Sequence, residues 1–153
     1  WKTPEEARRR ILYGMKQCDI MKISEEEVAF VSEQESLEKG VSFIRDNSDI
    51  KILFVTLGNK GSIAYYKDEK IYCGGIHQEH VVDTTGAGVT FCGAVLSRIL
   101  ELGTDALTEK DIREMLLFAN AAASIVVTRK GALCSMPEPE EIRAASSLID
   151  KVL

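Results

Sequence analysis

Lys51-Ile52-Leu53-Phe54-Val55-Thr56-Leu57 is a nearly unbroken apolar run, closed by the turn Gly58-Asn59-Lys60-Gly61. A strand with apolar residues at successive positions is buried on both faces, as in a parallel sheet covered by helices. That burial points to a covered, parallel sheet. It makes this run the centre of an α/β domain, and the rest of the chain supplies elements to cover it. With 153 residues and no internal repeat, linker or low-complexity tract, the chain reads as a single α/β domain over 1–153.

The flanking segments agree. Thr3-Pro4-Glu5-Glu6 reads as a helix start, with Thr3 as N-cap, Pro4 in the first turn and Glu6 completing a capping box. That helix runs to about Lys16. Ile20–Ile23 is a short strand. Ser24 and Glu27 form a second capping box, so a helix opens at Glu25, and another covers about 36–46. Residues 62–66 and 70–73 read as a hairpin, and 77–82 as extended. Helices follow at about 88–102, ending at Gly103, and at about 109–128, capped by Thr108. A last helix spans about 140–152, after the Pro137/Pro139 break.

Composition narrows the function. Formal net charge is −5, and the densest basic cluster, Arg8-Arg9-Arg10, sits on a helical face. Nucleic-acid binding is disfavoured. No apolar run approaches the roughly 20 residues of a membrane span, so no membrane role is expected. The polar start lacks an apolar signal region. A natural gene begins with Met, so Trp1 points to a partial chain. Cys18, Cys73, Cys92 and Cys134 form no C-x-x-C pair. Cys92 falls on an apolar helix face, and free buried thiols suit a reducing cytoplasm. His77 and His80 lie three apart, but an extended segment points them in different directions, which argues against a metal pair.

The chemistry is expected at Asp83-Thr84-Thr85-Gly86-Ala87-Gly88-Val89. Two glycines end an extended segment where an amphipathic helix begins. Glycine permits φ > 0 and close approach to a ligand. The helix start presents unpaired N–H groups at the positive end of the macrodipole. Together these make an anion site, most naturally for phosphate.

The string Asp-Thr-Thr-Gly-Ala-Gly, one further residue, then Thr90-Phe91 resembles the C-terminal signature of the ribokinase-like (PfkB) carbohydrate kinases, most closely fructokinases. Thr56-Leu57-Gly58-Asn59-Lys60-Gly61 is on its own an ordinary glycine turn. It also resembles that family's Thr-x-Gly-x-x-Gly nucleotide loop. Thr128-Arg129-Lys130-Gly131-Ala132 alone is a helix end with favourably placed cations. As a string it is similar to the family's monovalent-cation loop. The resemblance covers nearly the whole chain but only the C-terminal, nucleotide-binding half of such a kinase. The half with most sugar-binding residues and the lid has no counterpart.

By this resemblance the fold is a three-layer α/β/α ribokinase-like domain with a mainly parallel sheet. ATP or ADP would lie against Thr56, Gly58 and Gly61, with adenine against Ala119, Asn120 and Ala123 on a small-residue helix. The family has Asn-x-x-Glu where Ser24 and Glu27 stand, which implies a role for Glu27 in holding Mg²⁺ through water, beside its cap role. K⁺ would sit among Asp83, Ser135 and the carbonyls of Thr85, Val126, Arg129 and Gly131. Gly86, Ala87, Gly88 and Val89 would form the anion hole. The implied activity is phosphoryl transfer from ATP to a sugar hydroxymethyl group. The family's base at position 89 is Asp, and Val89 cannot take a proton, so the chain is expected to be inactive as written. The alternatives are a non-catalytic nucleotide-binding scaffold and an α/β domain without ligand. Exposed sheet edge would favour self-association.

Overall fold

The computed structural model describes residues 1–149, and side chains through residue 146. The chain packs as two units. The first is Trp1–Leu57 with Ala64–Lys70; the second is Gly58–Ile63 with the residues from Ile71 on.

In the first unit, α1 (Pro4–Met15) is followed by β1 (Ile20–Ser24), α2 (Glu25–Ser32), α3 (Leu37–Asp46) and β2 (Ile52–Thr56). Thr3 caps α1 by accepting the Glu6 N–H at 3.1 Å. The expected reciprocal bond from Glu6 is replaced by an ion pair with Arg10, so only half the capping box forms. At α2 both halves of the box are present. Ile52, Leu53, Phe54 and Val55 are all buried, as their unbroken apolar run requires. Val28 and Val31 from α2, Val41 and Ile44 from α3, and Met15 complete this core.

The sheet order is β1-β2-β3-β4, with β3 at Gly61–Tyr66 and β4 at Glu69–Gly74. β1 and β2 are parallel, with Ile23 opposite Val55. The helices between them supply the crossover that parallel strands need. β3 and β4 follow through connections far too short for a crossover, so they run antiparallel and the sheet is mixed rather than mainly parallel. Residues 77–82, expected to be extended, form no strand. Their end is held instead by Val82 N–H, which donates to the Val127 carbonyl at 2.8 Å.

The second unit is built on α4 (Ala87–Leu102) and α5 (Glu109–Val126), which pack against each other; α6 (Pro139–Ile149) packs on α5. Thr108 and Asp111 cap α5 reciprocally. Its interior is Phe91, Val95 and Ile99 from α4 with Ile112, Met115, Leu116, Ala119 and Ala122 from α5. The end of the last expected helix, 150–152, lies outside the described residues. None of the four cysteines is buried, and Cys134 is exposed, contrary to the expectation of buried thiols. None of the described helices is long and apolar enough to cross a membrane.

Candidate functional site

In the first unit, Ser24 ends β1 and begins α2. Its Oγ accepts the Glu27 N–H at 3.2 Å, and Glu27 Oε2 accepts the Ser24 N–H at 2.8 Å. One oxygen of the Glu27 carboxylate is therefore committed to the cap. Thr56 closes β2 and donates its hydroxyl to the Ile23 carbonyl at 3.5 Å.

In the second unit, Gly58–Lys60 forms a 3₁₀ turn. Gly61 has φ +109°, and a Cβ there would lie 2.2 Å from the Cys73 carbonyl oxygen. Any side chain would push the turn off the end of β4, so glycine is required by close backbone approach. Tyr72 donates its hydroxyl to the Lys60 carbonyl at 2.7 Å, and the Gly75 N–H reaches the same oxygen at 3.1 Å.

Asn120 completes this anchoring. Its Oδ1 accepts the Ser62 hydroxyl at 2.9 Å; its Nδ2 donates to the Cys73 and Gly74 carbonyls at 3.3 and 3.1 Å. Expected from the sequence to face adenine, the amide is 7% exposed and ties α5 to strands β3 and β4. Ala119 is fully buried and packs inside the unit, while Ala123 keeps accessible surface.

At the start of α4, Gly86 is the N-cap with φ +87°, and a Cβ would lie 3.2 Å from Ala132. The preceding loop is pinned by Val82 and Asp83 N–H groups, which share the Val127 carbonyl. The Ala87 N–H donates to the Thr84 carbonyl at 3.3 Å. Of the residues expected to form the anion hole, Gly88 and Val89 keep first-turn N–H groups without an intrahelical acceptor. No side chain caps this helix. The Val89 side chain is 65% exposed. Thr90, which the sequence reading did not single out, is buried in the same turn, and its hydroxyl has no partner among the described residues.

Asp83 links this loop to the end of α5. Its Oδ1 accepts the Thr85 N–H at 2.9 Å and its Oδ2 the Gly131 N–H at 3.4 Å. The Thr85 N–H, with a smaller effect of Gly131, holds its carboxyl below the ordinary carboxylate range. The Ser135 hydroxyl lies 2.6 Å from the Gly131 carbonyl and is buried. Asp83, Thr85, Gly131 and Ser135 are thus brought together. The Val126 carbonyl accepts the Arg129 N–H at 3.1 Å. The Arg129 guanidinium bonds Glu141 at 2.5 Å, which raises the Arg129 pKa and lowers that of Glu141. Among the described residues no group of three or more His, Cys, Asp or Glu side chains could hold a metal ion. Any cation in this loop would rest on a single carboxylate, a hydroxyl and carbonyl oxygens.

The elements in this order form a ribokinase-like α/β fold, the fold of the solved kinases that the chain resembles. The fructokinase from Vibrio cholerae O395, solved in a fructose-, ADP- and calcium-bound form, matches with a TM-score of 0.84 and 30% identity over 94% of this chain and 46% of that one. The ribokinase of Arabidopsis thaliana, solved with ribose and ATP, matches with a TM-score of 0.74 and 32% identity over 86% of this chain and 42% of that one. Fructokinase-1 of Zea mays is 40% identical over 144 residues, 93% of this chain and 44% of the maize protein. The model of the pfkB family carbohydrate kinases matches residues 1–139, and the chain belongs to that family. It spans less than half the length of these three relatives.

Proposed function

We propose that this chain is the nucleotide-binding half of an ATP-dependent sugar kinase of the fructokinase type, in which Val89 at the base position has separated nucleotide binding from phosphoryl transfer. The observation that carries the reading is the start of α4. Gly86 holds a left-handed conformation, no side chain caps the helix, and the Gly88 and Val89 N–H groups are left for an anion. Charge developing on a transferred phosphoryl group is stabilised by such fixed donors.

The backbone N–H of residue 89 survives the substitution, so the anion site keeps its donors. The side chain has no proton acceptor, so the proton of an attacking hydroxyl has nowhere to go. Thr56, Gly58, Gly61 and Ala123 are the residues we assign to ATP or ADP. Glu27 would hold Mg²⁺ through water with the carboxylate oxygen the cap leaves over. Bound Mg²⁺ supplies charge neutralisation across the phosphates.

Asp83, Ser135 and the carbonyls of Thr85, Val126, Arg129 and Gly131 would hold K⁺. The fit is supported by an all-oxygen donor set around an ionised Asp83, which suits a hard cation. A double mutant of the Vibrio cholerae fructokinase has been solved with fructose, ADP and potassium ion. The positive start of α4 and this anionic loop share Asp83, so ordering one orders the other. Ala119 and Asn120 act in this reading by packing and anchoring behind the nucleotide rather than by touching it. We place the protein in the cytoplasm. The nucleotide reading is tested by calorimetric titration with ADP–Mg²⁺. Saturable binding weakened by Gly86→Val is expected; no binding would overturn it.

A further inference from the structure

Residues 129–135 run from the end of α5 to the 3₁₀ turn Leu133–Ser135 and carry the Arg129 and Gly131 carbonyls and the Ser135 hydroxyl. Inside this loop the Ser135 hydroxyl donates to the Gly131 carbonyl at 2.6 Å. The Arg129 side chain bridges the two ends. Its Nη1 donates to the Ser135 carbonyl at 3.4 Å and to Glu141 Oε2 at 3.5 Å, and its Nη2 donates to Glu141 Oε1 at 2.5 Å. The guanidinium thus faces both oxygens of one carboxylate, which fixes its orientation as well as its distance.

Glu141 is itself held. It lies in the first turn of α6, its Oε2 accepts the Glu138 N–H at 2.9 Å, and the next residue, Ile142, is buried. An isolated, partly exposed ion pair contributes little to stability. This one is a link in a chain of contacts that runs from α6 through Glu141 and Arg129 to the backbone of Ser135, where the loop ends.

A cation held by carbonyl and hydroxyl oxygens needs those oxygens to converge, and whatever freedom they have beforehand is lost on binding. Groups that stand behind the ligands and fix their direction therefore change affinity without touching the ion.

We propose that Glu141 is a positioning residue for the cation loop: through Arg129 it holds the Ser135 end of the loop against α6 and so tightens the binding of K⁺. The inference rests on the cation reading given above and is independent of the nucleotide.

The test is the melting midpoint of the 153-residue chain as potassium chloride replaces choline chloride at constant ionic strength, without nucleotide. The midpoint should rise saturably with K⁺. Glu141→Gln keeps the size of the side chain and removes its charge. It should raise the half-saturating K⁺ concentration about tenfold, as the loss of a group behind a ligand does. Glu140→Gln removes the same charge one residue away, where the carboxylate pairs with Arg143 on the same helix, and should leave half-saturation unchanged. Arg129→Gln should weaken K⁺ at least as much as Glu141→Gln. Adding Glu141→Gln to it should weaken K⁺ no further, because Glu141 acts through Arg129. A K⁺ response in the wild type with the same half-saturation in Glu141→Gln would overturn the proposal and leave the cation reading standing. So would equal weakening by Glu140→Gln, or additive effects of the Arg129 and Glu141 substitutions. A wild type whose midpoint does not respond to K⁺ would overturn both.

Discussion

Asn120→Ala should cost this protein far more stability than a polar-to-alanine change on a helix usually does. The side chain makes three hydrogen bonds, at 2.9, 3.1 and 3.3 Å, to groups 46 to 58 residues away in sequence. The Ser62 hydroxyl is fully buried, so losing Oδ1 leaves it with no solvent to turn to. An orphaned buried donor costs about 1–3 kcal/mol. The two carbonyls lie near the end of β4, where water can replace part of the loss, and each contributes about 0.5–1 kcal/mol. The sum is about 3 kcal/mol, to be read from denaturant midpoints at unchanged slope. Ser62→Ala removes the group that would be orphaned, so the double variant should lose less than the sum of the singles. A coupling of about 1 kcal/mol or more is expected. Because the same amide holds β4 against the Gly58–Gly61 turn, ADP–Mg²⁺ should also bind more weakly to Asn120→Ala. Additive effects, or a loss below about 0.5 kcal/mol, would refute the anchoring role and return Asn120 to direct contact with a ligand.

Two further outcomes follow from particular contacts. The Asp83 carboxyl is held low in the fold by the Thr85 N–H, so its contribution to stability is present above the ordinary carboxylate pKa of about 4 and is lost as pH falls through the lower folded value. Asp83→Asn should therefore flatten the acid limb of a midpoint-against-pH curve below about pH 4 and lower the plateau above it; an unchanged curve would remove Asp83 from the loop's stability. β1 stands at the end of the sheet order with one side unpaired by the described strands, and such edges recruit other chains. Light scattering of the 153-residue chain should show concentration-dependent association, and a clean monomer at high concentration would contradict it.

Local signals in this sequence translated well, and distant ones did not. Ser24 with Glu27, and Thr108 at the head of α5, were legible because a cap is decided within four residues. The burial of Ile52–Val55 was legible because an unbroken apolar run has nowhere else to go. Glu6 departs from its expected cap role: a capping box needs the carboxylate to turn back, and Arg10 one turn on competes for it. Residues 77–82 carry enough valine and histidine to suggest an extended strand, yet none of the described strands pairs with them, and the Val127 carbonyl takes the Val82 N–H instead. The sheet's mixed character lay in connection lengths that local apolar pattern does not weigh. In the site, Gly86 at the head of α4 was readable from its string. The direction of the Asn120 amide was not, since its partners are Ser62, Cys73 and Gly74 and nothing near residue 120 announces them. The same holds for Ala119, whose burial depends on which side of α5 faces the interior.

The central claim, that residue 89 keeps the anion site but lacks the base, is tested most directly in a chain that also carries the N-terminal, sugar-binding half, by sugar-dependent ADP release with Val or Asp at residue 89, measured with fructose and ATP–Mg²⁺. A positioned general base contributes about 10²–10⁴-fold in rate. Release should stay at background with Val89 and gain by that order with Asp, at similar ATP affinity in both. Equal rates in the two proteins would contradict it.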